Sequence, residues 1–348
     1  MTRTENPYRP GFNESPKELA GREAVLEDLT DAIEVAALDG RTPRPTLLVG
    51  ARGVGKTVVL AQAAALAGSR FDWPRVHTEM RPDTPFIPDL IDAIGRVREL
   101  VAGSAEDPTP ALRPALTELA ELAIARESGF VLTLDEAHLA SRRELSALAA
   151  LLQEGTGERW PVVVVIAGLP LMRAPEHSVT YLERGAWHEL GLLSGEDTVR
   201  ALRLPAEEAG RPMNEDAAIL LAEASGGYPY AIQLYGHHAW RASSGHDRID
   251  LTAAQAALPR AQRELESGLY AARWSAASPA QKRYLTALAA VAATATPMTA
   301  RAVADQLGRT PKQLSSVRDD LIKAGTLTVE GDELRFTIPG MSAYVLAR

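Results

Sequence analysis

An eight-residue run with the pattern G-x-x-x-x-G-K-T constrains the fold of this chain more than any other feature. The run is Gly50-Ala51-Arg52-Gly53-Val54-Gly55-Lys56-Thr57; it follows the apolar residues 46–49 and precedes an Ala- and Leu-rich stretch at 58–67. Glycines let backbone N–H groups turn inward around an anion, and the following helix directs its positive N-terminal end at the same anion. The order strand, loop, helix predicts a phosphate-binding loop.

A chance match is improbable because the chain has five lysines against 32 arginines, and one of the five stands at the required position. The pattern predicts binding of ATP, with Lys56 reaching the β- and γ-phosphates and Thr57 offering its hydroxyl to Mg²⁺. The predicted nucleotide-binding residues of this segment are Gly50, Ala51, Arg52, Gly53, Val54, Gly55, Lys56, Thr57 and Val58.

Composition limits the class of protein. The 348 residues exceed one domain of ~100 to 200 residues, and the 46% hydrophobic content is ample for buried cores. The absence of cysteine excludes disulfides and Cys-based zinc sites. The polar start and an apolar maximum at residues 162–172, shorter than the ~20 residues that span a bilayer, favour a cytoplasmic protein without a membrane partner.

A second chemical feature is the run Phe130-Val131-Leu132-Thr133-Leu134-Asp135-Glu136. Asp135 and Glu136 place two adjacent carboxylates at the end of an apolar strand, at the sheet edge where the phosphate loop is also expected. We expect Asp135 to hold Mg²⁺ through water and Glu136 to act as the base that activates the attacking water.

Strands and helices alternate along the first half of the chain, which predicts an α/β fold with a doubly wound parallel sheet. A helix is predicted over residues 23–38. The predicted strands are residues 46–49, 75–80, 130–134, 162–167 and 187–190.

The phosphate loop, the strand ending in Asp135-Glu136 and further marks resemble AAA+ or STAND ATPases of the origin-recognition-like (ORC/CDC6-like) class. These marks are Gly21-Arg22-Glu23, Ile166-Ala167-Gly168-Leu169-Pro170, Glu183-Arg184 and Gly226-Gly227-Tyr228-Pro229-Tyr230. The resemblance implies an AAA+ core and a helical lid, a preceding arm that contacts the adenine, and Pro229 near the nucleotide. It also implies an arginine finger acting on a neighbouring subunit of a nucleotide-dependent homo-oligomer; Arg184 is our candidate and Arg173 its rival.

The chain departs from that class at two positions. Ala167-Gly168 offers no side-chain donor where the class has a polar residue, and Tyr228-Pro229-Tyr230 stands where many members place a phosphate-sensing arginine. Both absences favour a slow, nucleotide-gated switch over a fast motor.

Two other interpretations carry less weight. Residues 135–138 also spell the DEAH box of certain helicases, but those enzymes need two tandem RecA-like domains and this chain has one phosphate loop. His138 is therefore interpreted as a helix-capping or surface residue. His237, His238 and His246 are interpreted as packed or solvated histidines in preference to a metal site.

The domain prediction is an extended arm at 1–21, an AAA+ core at 22–192, a helical lid at 193–274 and a winged helix-turn-helix at 275–348. The last segment carries a net charge of +3 against −11 for the rest of the chain, from nine lysines and arginines and six acidic residues. Ser278-Pro279 starts its first helix, Thr310-Pro311 starts its third, and Glu330-Gly331-Asp332-Glu333 turns a hairpin wing.

If this segment binds double-stranded DNA, its third helix enters the major groove. The candidate contact residues are Lys312, Gln313, Ser315, Ser316 and Arg318. Asp319, Asp320 and the acidic wing oppose DNA binding. Two alternatives stay open: a signalling STAND NTPase whose winged helix contacts a protein partner, and a transposition-type ATPase regulator.

Overall fold

The computed structural model describes residues 5–11, 16, 19–102, 111–174, 179–294 and 296–348. The chain divides into two compact units. The sheet unit comprises Arg22–Gly50 and Gly55–Gly191; the helical unit comprises Met1–Gly21, Ala51–Val54 and Leu192–Arg348. Of the predicted arm at 1–21, residues 5–11, 16 and 19–21 lie within the described part of the chain.

Five parallel strands form the sheet of the sheet unit, in the order β2-β3-β4-β1-β5. They are β1 (Thr46–Gly50), β2 (Arg75–Glu79), β3 (Phe130–Asp135), β4 (Val162–Gly168) and β5 (Ala186–Leu190). Each predicted strand is confirmed, with bounds that differ by one residue at one end. The central strands β1, β3 and β4 are buried along their whole length because helices cover both faces, as in other parallel sheets.

The helices of the sheet unit are α1 (Glu23–Leu38), α2 (Lys56–Phe71), α3 (Ile87–Ala102), α4 (Leu112–Ala125), α5 (Arg142–Gly157) and α6 (Thr180–Glu183). Apolar residues of α3, α4 and α5 form one core with Leu132 and Leu134 of β3. Helix α2 packs against β3 and β4. Because side chains alternate along a strand, Thr133 and Asp135 lie on the face opposite Leu132 and Leu134.

The helical unit starts with helices predicted for the lid: α7 (Gly195–Glu208), α8 (Glu215–Ser225), α9 (Pro229–Ala242), α10 (Leu251–Leu265) and α11 (Ala271–Ala276). A π-helical turn, Glu266–Tyr270, joins α10 to α11. Tyr8 packs into the core of this unit, lies against Gly236 and donates its hydroxyl to the Leu202 carbonyl. Within the described ranges, no helix is long and apolar enough to cross a membrane.

The last part of the helical unit has the predicted order of three helices and a hairpin. Its elements are α12 (Pro279–Ala293), α13 (Ala300–Gln306), α14 (Ser315–Lys323), β6 (Leu327–Glu330), β7 (Glu333–Phe336) and α15 (Met341–Leu346). A 3-10 turn, Pro311–Leu314, leads directly into α14. Ser278 and Thr310 form capping boxes at the two predicted helix starts. A winged helix-turn-helix has this order of elements.

Candidate functional site

The phosphate-loop sequence connects β1 to α2. Gly53 and Gly55 have φ angles of +79° and +95°, a region that glycine enters without steric cost. Lys56 is the first residue of α2, is 5% exposed, and donates from Nζ to the Gly50 carbonyl at 2.9 Å. The 16-residue helix α2 gives the loop a positive N-terminal end, and the Lys56 ammonium adds a full charge.

Thr57 and Asp135 meet although 78 residues separate them in the chain. The Thr57 hydroxyl donates to Asp135 Oδ2 at 2.6 Å, and the Glu136 backbone N–H donates to Oδ1 at 2.8 Å. Asp135 ends β3 and is 3% exposed. A hydroxyl and a carboxylate are the hard oxygen donors that Mg²⁺ prefers, so this pair fits that ion.

Glu136 stands directly after β3 in a left-handed conformation, with φ 52° and ψ 33°. A non-glycine residue in this region costs about 1–2 kcal/mol, and such strain is often found at functional sites. Its side chain is 23% exposed, and Oε2 lies 3.4 Å from His138 Nε2.

The burial of His138 differs from the sequence prediction. The sequence interpretation placed it at a helix cap or on the surface, but its side chain is 3% exposed. It belongs to a 3-10 turn, Ala137–Leu139, that contacts β4, and this tertiary packing buries the imidazole.

A polar cluster that the sequence analysis missed lies on the same sheet face as Asp135. Arg75 Nε donates to Thr133 Oγ1 at 2.8 Å and Nη2 donates to His77 Nδ1 at 2.9 Å; His77 Nδ1 and Thr133 Oγ1 are 3.0 Å apart. Burial, and then the charge of Arg75, lowers the pKa of His77. Burial also lowers the pKa of Arg75, while Asp135 opposes that shift. The signal available in the sequence was the alternation of Arg75, His77 and Glu79 along a short strand.

The two candidate finger arginines have different surroundings. Arg184 follows α6 as its C-terminal cap and is exposed. Arg173 stacks its guanidinium 4.7 Å from the centre of the Trp187 ring of the same chain. Both side chains are exposed, and the ring contact with Trp187 holds Arg173 against its own chain.

Pro229 is the first residue of α9, and Tyr228 precedes it. Within the helical unit, the Tyr228 hydroxyl donates to the Arg52 carbonyl at 3.3 Å. Burial raises the pKa of Tyr228 to about 12, which keeps the phenol neutral and able to donate.

The lid histidines have contacts of their own. Asn6 Nδ2 lies 3.0 Å from His237 Nδ1, and His238 Nε2 lies 2.9 Å from a Glu264 carboxylate oxygen. His246 is exposed. Among the described residues, no three His, Cys, Asp or Glu side chains gather as a metal-binding group.

The predicted DNA-contact residues of the winged part differ in their surroundings. Lys312, Gln313 and Ser316 are exposed, but the Gln313 side chain completes the capping box with Thr310. Ser315 donates to the Lys312 carbonyl at 3.0 Å. Two arginines have acidic neighbours: Arg318 contacts Asp319 at 2.8 Å, and Arg335 of the wing contacts Glu330 at 3.0 Å and Glu333 at 3.3 Å.

Two known families are similar to separate parts of the chain. Residues 18–165 match the AAA ATPase domain family. The matched residues include the phosphate loop and the strand that ends at Asp135. Residues 267–345 match a domain family of unknown function (DUF8462). No curated protein matches the chain.

Similar solved structures cover nearly the whole chain. A Walker-type ATPase of Pyrococcus abyssi has a TM-score of 0.67 at 16% identity, covering 97% of this chain and 99% of its own. The Aeropyrum pernix ORC2 protein, in ADPNP–ADP complexes, has a TM-score of 0.66 at 14% identity, covering 97% and 95%. The Aeropyrum pernix ORC1 protein in complex with DNA has a TM-score of 0.51 at 17% identity, covering 97% and 95%. At these identities the likeness establishes the fold, and the predicted resemblance to ORC/CDC6-like AAA+ ATPases is confirmed at that level.

Proposed function

We propose that this protein is a Mg²⁺-dependent ATPase that acts as a slow nucleotide-gated switch in the cytoplasm. One observation carries the proposal: the Thr57 hydroxyl meets the buried Asp135 carboxylate at 2.6 Å, one residue from the loop lysine. Two distant motifs thereby present the oxygen ligands for a metal beside a cation for phosphate.

Each residue has a distinct part in this proposal. The backbone of residues 50–58 cradles the phosphates, Lys56 contacts the β- and γ-phosphate oxygens, and Thr57 and Asp135 hold Mg²⁺. When bound there, Mg²⁺ would neutralise phosphate charge. Glu136 orients a water molecule and accepts its proton as the water oxygen bonds to the γ-phosphorus and the bond to ADP breaks.

A slow rate follows from missing donors. Strand β4 ends in Ala167 and Gly168, which have no polar side chain to place the water. Tyr228 and Tyr230 flank Pro229 in place of an arginine. Fewer groups then stabilise the charge that develops in the transition state.

We further propose that nucleotide state is coupled to double-stranded DNA binding through the winged part. Support comes from the similar fold of an ORC1 protein solved with DNA. The contact residues are Lys312, Gln313, Ser315, Ser316 and Arg318. The acidic neighbours of Arg318 and Arg335 favour the alternative, a signalling STAND NTPase that relays nucleotide state to a protein partner. A transposition-type ATPase regulator is a narrower form of the DNA hypothesis.

ATP hydrolysis by the wild type, Lys56→Ala and Glu136→Gln, with and without duplex DNA at two salt concentrations, tests the proposal. We expect Lys56→Ala to lose nucleotide binding and Glu136→Gln to bind ATP with only a small residual turnover. Tight ATP binding by Lys56→Ala, or unaltered turnover by Glu136→Gln, contradicts the assignment. Salt-sensitive stimulation by DNA supports the DNA hypothesis, and turnover indifferent to DNA supports the protein partner.

A further inference from the structure

The imidazole of His138 is buried, in contrast to the capping or surface position expected from the sequence. Its side chain is 3% exposed, and its Nε2 lies 3.4 Å from Oε2 of Glu136. The two residues belong to the turn that follows β3, where Glu136 has a strained left-handed backbone. A buried ring held beside the candidate base is well placed to restrict that carboxylate.

Gly168 explains how the turn reaches this position. The turn Ala137–Leu139 contacts β4, and a methyl group built on Gly168 would lie 3.2 Å from the His138 backbone nitrogen and would overlap Met172. A larger residue at 168 would therefore push the turn away. The same glycine is the reason that β4 ends without a polar side chain, so the absence of a donor on β4 and the approach of His138 have a common cause.

We propose that His138 is a positioning residue for Glu136, with a proton on Nε2 donated to the Glu136 carboxylate. This inference rests on the proposed function, in which Glu136 is the base. A glutamate side chain has several rotatable bonds, and a base must be held near one geometry to act on a bound water. His138 supplies the orienting donor that β4 lacks, and the 3.4 Å contact shortens when nucleotide and water are bound.

Two amide substitutions of His138, to glutamine and to asparagine, test the inference. Glutamine places its amide nitrogen near the position of Nε2, whereas the shorter asparagine reaches only the position of Nδ1. We expect His138→Gln to keep kcat within about threefold of the wild type and His138→Asn to lose about tenfold or more, each with an unchanged Kd for ATP, since positioning contributes to the rate and not to ground-state binding. Equal kcat values for the two amides would overturn the inference. Thermal unfolding of both variants shows whether a loss of kcat is a loss of folded protein.

A double variant separates this inference from the proposed function. If His138 acts through Glu136, adding His138→Asn to Glu136→Gln lowers the residual rate no further, because effects of residues acting as one unit are not additive. An additional tenfold loss in the double variant would place His138 outside the action of Glu136. Turnover at the wild-type rate in Glu136→Gln alone would instead overturn the base assignment. His238→Asn, which breaks a histidine–carboxylate contact on the lid, is the control and should leave kcat unchanged.

Discussion

Gly53 and Gly55 share a positive φ but differ in their surroundings. A methyl group built on Gly53 would overlap the Tyr228 hydroxyl, whereas one on Gly55 meets nothing within 4 Å. Gly55→Ala should therefore cost only the conformational term of about 1–2 kcal/mol, and Gly53→Ala should cost more. Denaturant unfolding of the two variants measures the difference. The excess cost of Gly53→Ala should shrink in a Tyr228→Ala background, and an equal cost in both backgrounds would exclude the overlap as its origin.

His77 makes stability depend on pH. Its pKa in the folded protein is lowered by burial and by Arg75, so the unfolded chain takes up a proton near the ordinary value of about 6.5 while the folded protein does not. This contribution to the free energy of unfolding is complete above about pH 6.5 and is lost as the pH falls below it, until folded His77 is protonated as well.

His77→Gln removes this titration and keeps an acceptor for Arg75. We expect a flatter pH dependence of the unfolding free energy between about pH 7 and 5, by at most about 1.4 kcal/mol per pH unit and by less because solvent screens a half-buried ring. Denaturant unfolding across this range measures the slope. His246→Gln, at an exposed histidine, is the control. A slope equal to that of the wild type in His77→Gln would show that other groups set the pH dependence.

At the scale of elements, local sequence predicted the strands because each has its own signal. Strands β1, β3 and β4 are apolar runs, and a buried parallel strand needs little else to be recognised. Capping residues likewise marked the starts of α12 and the turn before α14, because a cap bonds to backbone three residues away.

The contacts within the site were less predictable, because they depend on packing between distant segments. Arg75 forms a hydrogen bond with Thr133, 58 residues away in the chain, and no local sequence pattern predicts such a pair. His138 stands next to the predicted base, yet its burial depends on the space left by Gly168 on another strand. The meeting of Thr57 and Asp135 was predictable because both follow from the topology of a parallel sheet, whose carboxyl ends meet at one edge.

The wing hairpin gives an element-scale prediction for the DNA hypothesis. Glu330 and Glu333 both contact Arg335 and hold it near the hairpin. Changing both to glutamine should raise duplex DNA affinity and steepen its salt dependence by about one counterion for each cation that gains a phosphate contact. Fluorescence anisotropy over a salt series measures both quantities. As a control, Glu207→Gln with Glu208→Gln makes the same change in net charge on α7. An equal gain in DNA affinity from that pair would assign the effect to net charge alone. No gain in DNA affinity from the wing pair would favour a protein partner.

Catalysis in an assembly gives the prediction for the whole molecule. If exposed Arg184 acts on the γ-phosphate of a neighbouring subunit, Arg184→Ala should bind ATP normally and lose about 10³-fold or more in kcat, as arginine fingers do. We expect Lys56→Ala to be inactive for a different reason, because it lacks a functional phosphate loop but keeps Arg184.

Mixing the two inactive proteins tests whether Arg184 acts in trans. In a head-to-tail assembly, an Arg184→Ala subunit beside a Lys56→Ala subunit regains an arginine, so a random equal mixture should recover about a quarter of wild-type turnover. A mixture of Lys56→Ala with Glu136→Gln should recover nothing, because both defects lie within the subunit that binds the nucleotide. Solution mass with a non-hydrolysable ATP analogue must show the assembly in which recovery occurs. A different outcome would confine the action of this arginine to its own chain. In that outcome Arg184→Ala loses turnover, mixing does not restore it, and the solution mass is that of a monomer.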